Sequence, residues 1–220
     1  MSFDAVMKIG GSLSRGAALP ALCREISRLG KSHSMLVVPG GGGFADQVRA
    51  ADRRYHLDAT AAHRMALLAM DQYGYLLNHL VEGSVLVTDL ECARRSAISR
   101  RVAVLLPSAL VAREDPLPHS WQVTSDSIAA WVAHRVCCNR AVLLKDVDGL
   151  LNSEGIIEEL TVEDLAGHCG GVDEHLPSLL SSLRVETWVI SGLHPERVSE
   201  LLRTGRTTGT RVKPWTSPIS

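Results

Sequence analysis

The stretch "MKIGGSL" (residues 7–13) places a lysine two positions before a glycine pair, at the end of the first apolar run of the chain. A second run, "MLVVPGGGGFAD" (35–46), ends in four consecutive glycines. Both read as a β-strand followed by a glycine corner. In an open parallel sheet, ligands sit beyond the carboxyl ends of the strands. Glycine there lets successive backbone N–H groups converge on one anion. A lone "GGS" turn is a weak signal. Four glycines in a row are harder to ascribe to a plain turn, because each costs about 0.5–1 kcal/mol in lost backbone freedom. Lys8 stands inside a run expected to be buried, and a buried ammonium requires an anionic partner. Lys8, Gly10, Gly11 and Ser12, together with Gly40, Gly41, Gly42 and Gly43, are therefore the candidate cradle of a phosphoryl group. The spacing fits neither G-x-x-x-x-G-K-[ST] nor G-x-G-x-x-G, so the corners are not a P-loop or a dinucleotide fingerprint.

Working outward, further short runs rich in Val, Ile and Leu lie at 84–88, 102–106, 141–145 and 187–191. Continuous apolar runs of this kind suit parallel strands buried on both faces. Helical spacing appears over 19–29, 58–81, 125–136 and 195–203. Alternation of the two predicts an α/β protein with a mainly parallel sheet between helices. The segment 145–161 breaks the alternation and reads as a small hairpin, followed by a helix that starts near Thr161 with Asp164 as a cap partner. The proline-rich stretch 107–120 reads as irregular and as a boundary between two lobes. Residues 214–220 read as a loose tail.

The 220 residues allow one α/β domain or two closely joined lobes. Net charge is −1 and there is no long basic run, which argues against nucleic acid or an anionic membrane as partner. No apolar stretch approaches a membrane span, and "FDAVMKI" (3–9) reads as a strand rather than a signal segment, so a cytoplasmic protein is expected. Five scattered cysteines (Cys23, Cys92, Cys137, Cys138 and Cys169) form no disulfide framework and no C-x-x-C. Free thiols, mostly packed inside, and no resident metal are expected.

Four stretches in order, "MKIGGSL", "VVPGGGGFAD" (37–46), "TSDSIAAWVA" (124–133) and "LLKDVDGLL" (143–151), with "GTRV" (209–212) at the end, resemble the amino acid kinase family. The resemblance spans nearly the whole chain. It implies a three-layer αβα sandwich around a mainly parallel, roughly eight-stranded sheet. It also implies one domain over 1–213, with an acceptor lobe over about 1–118 and a nucleotide lobe over about 119–213. By the same resemblance, Lys8 neutralises the transferring phosphoryl group and Asp126 orients the active-site lysines. The glycine corners would donate amides, and Lys145, Asp146, Asp148, Gly149 and Leu150 would shape the site for ATP, with Mg²⁺ accompanying the nucleotide. Homodimers through acceptor-lobe helices are implied as well. Read without the resemblance, Asp126 is equally an acid placed at a helix start, where the dipole favours it, and "DVDG" is a turn.

The sequence departs from the family in one respect. "GGVDEHL" (170–176) puts His175 where many members carry a second catalytic lysine. Either Lys145 supplies that charge, or the chemistry is slower or different, because a neutral imidazole does not replace an ammonium. Residues 56–77 and 172–183 further resemble a subgroup of kinases in methanofuran biosynthesis, which convert an aminomethyl-furan-methyl phosphate to a diphosphate. For such an acceptor, Asp58 or Asp173 would meet the amine and Arg49, His63 or Arg64 the phosphate, with a solvated helix face as the plain alternative for each. Two functions stand at this point. One is an ATP-dependent kinase acting on a small phosphorylated acceptor; the other is a non-catalytic nucleotide- or anion-binding protein of the same fold.

Overall fold

A computed structural model describes residues 2–168 and 170–214. Cys169, and residues 215–220 of the expected tail, lie outside the described residues. The elements in chain order are β1 (Ala5–Ile9), α1 (Leu19–Leu29), β2 (Met35–Pro39), α2 (Gly42–Tyr55), α3 (Ala59–Leu80), β3 (Val85–Val87), α4 (Leu90–Ile98), β4 (Ala103–Leu105), α5 (Pro107–Glu114) and α6 (Ser125–Arg135). Then follow β5 (Arg140–Lys145), β6 (Leu151–Asn152), β7 (Gly155–Ile156), β8 (Glu159–Leu160), α7 (Val162–Ala166), α8 (Leu176–Ser182), β9 (Glu186–Ser191), α9 (Glu196–Thr204) and β10 (Thr210–Val212). A short 3-10 helix, Gly11–Arg15, follows β1.

Eight strands form one sheet in the order β3-β4-β2-β1-β5-β9-β10-β8, and β6 pairs with β7 as a separate hairpin. The pairs from β3 across to β9 are parallel, while β10 runs antiparallel to β9. Helices cover both faces, as the sandwich expectation requires. Val6, Leu36, Val38, Ala103, Leu105, Ala141 and Leu143 pack with α4, α5, α6, α7 and α8 on one face. Met7, Ile9, Val37, Val104, Val142, Leu144 and Ile190 pack with α1 and α9 on the other. The long α3 contributes Leu67 and Met70 to the first cluster and Tyr73 and Leu77 to the second.

The strand runs and the helix 19–29 appear where the periodicity places them, as does the Thr161 start: Thr161 and Asp164 form a reciprocal capping box. Three helices, α2, α4 and α8, lie outside the stretches in which helical spacing appears. The stretch 107–120 also corrects the expectation of an irregular segment, since its first eight residues form α5. Pro107 sits in the first turn, where its missing N–H is no loss. The cap is supplied from α3, where Asp71 accepts hydrogen bonds from the Ser108 N–H and hydroxyl. A cap borrowed from a helix 37 residues away leaves no local sequence pattern. Of the four described cysteines, all are free thiols; Cys23 and Cys138 are buried, Cys92 is half-buried and Cys137 is exposed. Among the described residues no helix is long and apolar enough to cross a membrane.

The sheet centre should dominate stability. Leu143→Ala on β5, fully buried between two strands, is expected to lower the unfolding free energy by about 2–5 kcal/mol. Ile98→Ala at the end of α4, 65% exposed, should change it by less than about 0.5 kcal/mol. Urea titrations of both variants measure the contrast.

Candidate active site

β1 lies at the centre of the sheet, between β2 and β5. Its alternation sends Ala5, Met7 and Ile9 to one face and Val6 and Lys8 to the other. Lys8 thereby turns toward α6, whose second residue is Asp126. The Lys8 Nζ lies 2.8 Å from Asp126 Oδ1. Lys145, the last residue of β5, donates from Nζ to Asp126 Oδ2 at 2.6 Å. Lys8 is 6% exposed and Asp126 2%. The Lys8 contact is a close ion pair without an aligned hydrogen bond, so Oδ1 has a charge partner but no directed donor. One carboxylate between two ammoniums leaves net positive charge where the three side chains meet.

Burial pushes the Asp126 carboxyl up, but the adjacent Lys8 and Lys145 ammoniums outweigh it and hold the group down, to about 2. Burial lowers the Lys8 pKa below its ordinary value, and Lys145 adds to that, with Asp126 opposing both. Asp126 is thus ionised at any ordinary pH, and its charge is what favours the protonated form of Lys8 against burial.

The two glycine corners abut. Ile9 pairs with Pro39 in the β1–β2 register, so the chains leave the sheet side by side. A Cβ on Gly11 would stand 2.2 Å from the Gly42 nitrogen, and Gly42 has φ of 55°, a left-handed conformation that favours glycine. The expectation that Gly10 and Gly40 donate amides to a ligand is corrected here. The Gly10 N–H bonds the Leu144 carbonyl at 2.8 Å and the Gly40 N–H bonds the Ile9 carbonyl at 2.9 Å, continuing the sheet one residue past each strand. The amides without an acceptor among the described residues are the next ones along: Gly11 and Ser12 at the start of the 3-10 helix, and Gly41, Gly42 and Gly43 at the start of α2. Unpaired amides at two helix starts beside two ammoniums fit an anion. The Tyr73 hydroxyl from α3 donates to the Gly10 carbonyl at 3.4 Å and ties the first corner to the layer below.

Asp173 fixes the start of α6. Its Oδ2 accepts from the Thr124 N–H, the Thr124 hydroxyl and the Ser127 N–H at 2.9–3.0 Å. Its Oδ1 accepts from the Ser127 hydroxyl and the Leu176 N–H. Its own N–H donates to Asp126 Oδ2 at 3.2 Å. A carboxylate with five donors is fully engaged, which corrects the expectation that Asp173 meets a substrate amine.

These groups surround a cavity of about 490 Å³. Lys8, Gly10, Gly11, Ser12, Gly41, Gly42, Asp126, Lys145, Asp146, Arg49, His63 and Asp173 all line it. Gly40, Gly43, Asp58, Arg64, Asp148, Gly149, Leu150 and His175 do not. Asp58 caps α3 by accepting from the Ala61 N–H, and Arg64 is exposed on α3. Asp148 pairs with Arg197. Leu150 is core, and its N–H donates to the Thr210 hydroxyl at 2.8 Å. Gly149 sits against that same Thr210. His175 precedes α8 and gives its N–H to the Gln122 carbonyl. The sequence reading missed Arg15 and Asp46, which pair with each other at the rim, and Trp121, whose ring lies 4.9 Å beneath the Arg49 guanidinium. Trp121 directly follows the stretch 107–120 read as irregular, so only an isolated aromatic between prolines and a helix cap marked it.

A model of the amino acid kinase family matches residues 5–185. The [5-(aminomethyl)furan-3-yl]methyl phosphate kinase of Methanocaldococcus jannaschii is 30% identical over 203 residues, covering 90% of this chain and 92% of that protein. Among solved structures, the uridylate kinase of Archaeoglobus fulgidus superposes with a TM-score of 0.75 at 19% identity, over 96% of this chain and 100% of the other. The UMP kinase of Ureaplasma parvum gives 0.76 at 17%, over 95% and 98%. At those identities the two structures speak for the fold alone.

Asp126→Asn leaves two ammoniums facing a neutral amide, and the unfolding free energy at pH 7 should fall by about 3–5 kcal/mol. The folded carboxyl, at about 2, lies below its ordinary 3.8. The stabilisation it supplies is therefore complete above the ordinary value and is lost as pH falls through the folded one. Paired urea titrations of the two proteins should show a constant gap from pH 7 down to about 4 that narrows toward pH 2.

Proposed function

The chain belongs to the amino acid kinase family and is an enzyme that phosphorylates a small molecule, and from that premise we propose that it transfers the γ-phosphoryl group of ATP to a phosphate monoester, yielding a diphosphate and ADP. The acceptor proposed is an aminomethyl-furan-methyl phosphate, the compound named for the Methanocaldococcus jannaschii relative. The observation that supports this reading most directly is the Lys8–Asp126–Lys145 cluster, set beside two rows of unpaired amides in one cavity.

In the reaction, an acceptor phosphate oxygen attacks the γ-phosphorus, the bond to the β-phosphate oxygen breaks, and ADP leaves. Such a transfer asks the protein for position and charge rather than covalent chemistry. Lys8 and Lys145 meet the negative charge of the transferring group from the strand ends. Asp126 holds both ammoniums in place and keeps them from repelling each other apart. The amides of Gly11 and Ser12, and of Gly41 and Gly42, bind phosphate oxygens without needing to reorganise. Arg49 and His63, from α2 and α3, face the acceptor; Lys145 and Asp146, at the end of β5, face the nucleotide. Asp148, Gly149 and Leu150 act at one remove, by holding the loop after β5 through Arg197 and Thr210. Mg²⁺ bound to ATP would neutralise its phosphates, and the exposed Asp146 carboxylate at the rim fits a metal held chiefly by phosphate and water.

The binding-only alternative rested on the histidine at 175. Lys145 on Asp126 supports the view that the second charge has moved to the end of β5, and His175 needs no part in catalysis. Residues 1–213 are taken as one catalytic domain, acting in the cytoplasm. A homodimer through α3 is supported by its exposed Leu68 and Tyr75, and sedimentation would report it.

Lys8→Ala and Lys145→Ala should each lower kcat by about 10²–10³-fold or more while leaving the circular dichroism spectrum unchanged. ADP release with ATP and the phosphorylated acceptor reads the loss, and wild-type rates in Lys8→Ala would eliminate its assignment. Because the Lys8 pKa is lowered, its charge is lost at a lower pH than that of a free lysine. The alkaline limb of kcat/KM should therefore fall below pH 10.5, and a limb at or above that value contradicts the assignment.

A further inference from the structure

A second cavity of about 520 Å³ adjoins the first, sharing His63, Ala66, Trp121 and Val123 with it. Trp121 is the divider. Its ring carries the Arg49 guanidinium, which lines the first cavity. Its indole Nε1–H donates to Asp52 Oδ2 at 2.7 Å, and Asp52 lines the second. The two cavities differ in charge. Four cations (Lys8, Arg15, Arg49 and Lys145) and four carboxylates (Asp46, Asp126, Asp146 and Asp173) line the first, whereas Asp52 is the one Asp, Glu, Lys or Arg side chain lining the second.

The other carboxylates near the site are engaged or lie elsewhere. Asp126 is held by two lysines. Asp46 is paired with Arg15 and Arg49. Asp173 has five donors. Asp58 caps α3 outside both cavities, and Asp146 lines the first cavity at the end of β5, beside Lys145 on the nucleotide side of the kinase reading. Asp52 has the indole on one oxygen and, among the described residues, neither a cation nor a hydrogen bond on the other. Of the histidines beside it, burial, then the stacked His119 ring 4.4 Å away, lowers the His63 pKa, and His119 lies between Thr60 and Asp115.

A ligand that spans both cavities therefore needs an anion at one end and a cation at the other, with a flat apolar middle against Trp121, Ala66 and Val123. We propose that Asp52 selects acceptors carrying a cationic amine, by pairing its free carboxylate oxygen with that amine in the cavity adjoining the phosphate cradle. The proposal rests on the kinase reading for its acceptor, a phosphate monoester with an aminomethyl group. It makes Asp52 a specificity residue: it contacts the acceptor far from the reacting phosphorus, so it governs binding rather than the chemical step.

Asp52→Asn tests this cleanly, because an asparagine oxygen still accepts from the Trp121 indole and only the charge is lost. Two probes are used, the aminomethyl-furan-methyl phosphate and its analogue with methyl in place of aminomethyl. Calorimetry without nucleotide gives Kd for each, and ADP release with ATP gives turnover. The wild type should prefer the amine by about tenfold, in the range of a partly desolvated ion pair. Asp52→Asn should abolish that preference by weakening the amine-bearing ligand alone, with kcat unchanged, and Asp52→Glu should restore part of it. An unchanged preference in Asp52→Asn, or equal weakening of both ligands, overturns the assignment. Selective binding that depends on Asp52 but gives no ADP sustains the assignment and overturns the kinase substrate instead. Failure of the wild type to bind either ligand overturns both.

Discussion

A carboxylate buried between two ammoniums organises this molecule. Asp126 alone, at 2% exposure, would be an uncompensated charge in the interior, and so would Lys8. Together with Lys145 they are tolerable, because each charge has a partner within 3 Å. The arrangement requires three elements to be in register. β1 must present Lys8 on the α6 face, which a one-residue slip against β2 would reverse. β5 must end at Lys145, next to the same helix start. α6 must begin where Asp173 accepts its first amides and hydroxyls. The ion cluster and the sheet register therefore specify each other.

The catalytic reading follows from what lies around the cluster. Net positive charge at the strand ends faces amides at two helix starts, and the glycines allow those two corners to touch. Water-poor surroundings strengthen such fixed charges and dipoles relative to solvent. Past Trp121, the adjoining cavity presents the Asp52 carboxylate.

Much of the fold was legible in the sequence. The apolar runs 5–9, 35–39, 141–145 and 187–191 became the strands of the sheet centre because burial on both faces demands continuous hydrocarbon. Thr161 and Asp164 are local partners, and their capping box could be read from three positions. α5 could not, because its cap comes from Asp71 on another helix. The short α8 likewise has no side-chain cap of its own; Asp173 binds its first amide while mainly serving α6.

The sequence by itself determined the α/β alternation, the two glycine corners and the suspicion attached to Lys8, since each is written in residues adjacent along the chain. Only the tertiary structure decided which amides are free, moving them one residue past Gly10 and Gly40, because the strands extend their hydrogen bonds that far. It alone turned Asp173 from a candidate ligand contact into the anchor of Thr124, 49 residues away, and left Asp52 with an oxygen to offer in the second cavity. Whether a polar group is available depends on the donors and acceptors packed against it, and those come from distant parts of the chain.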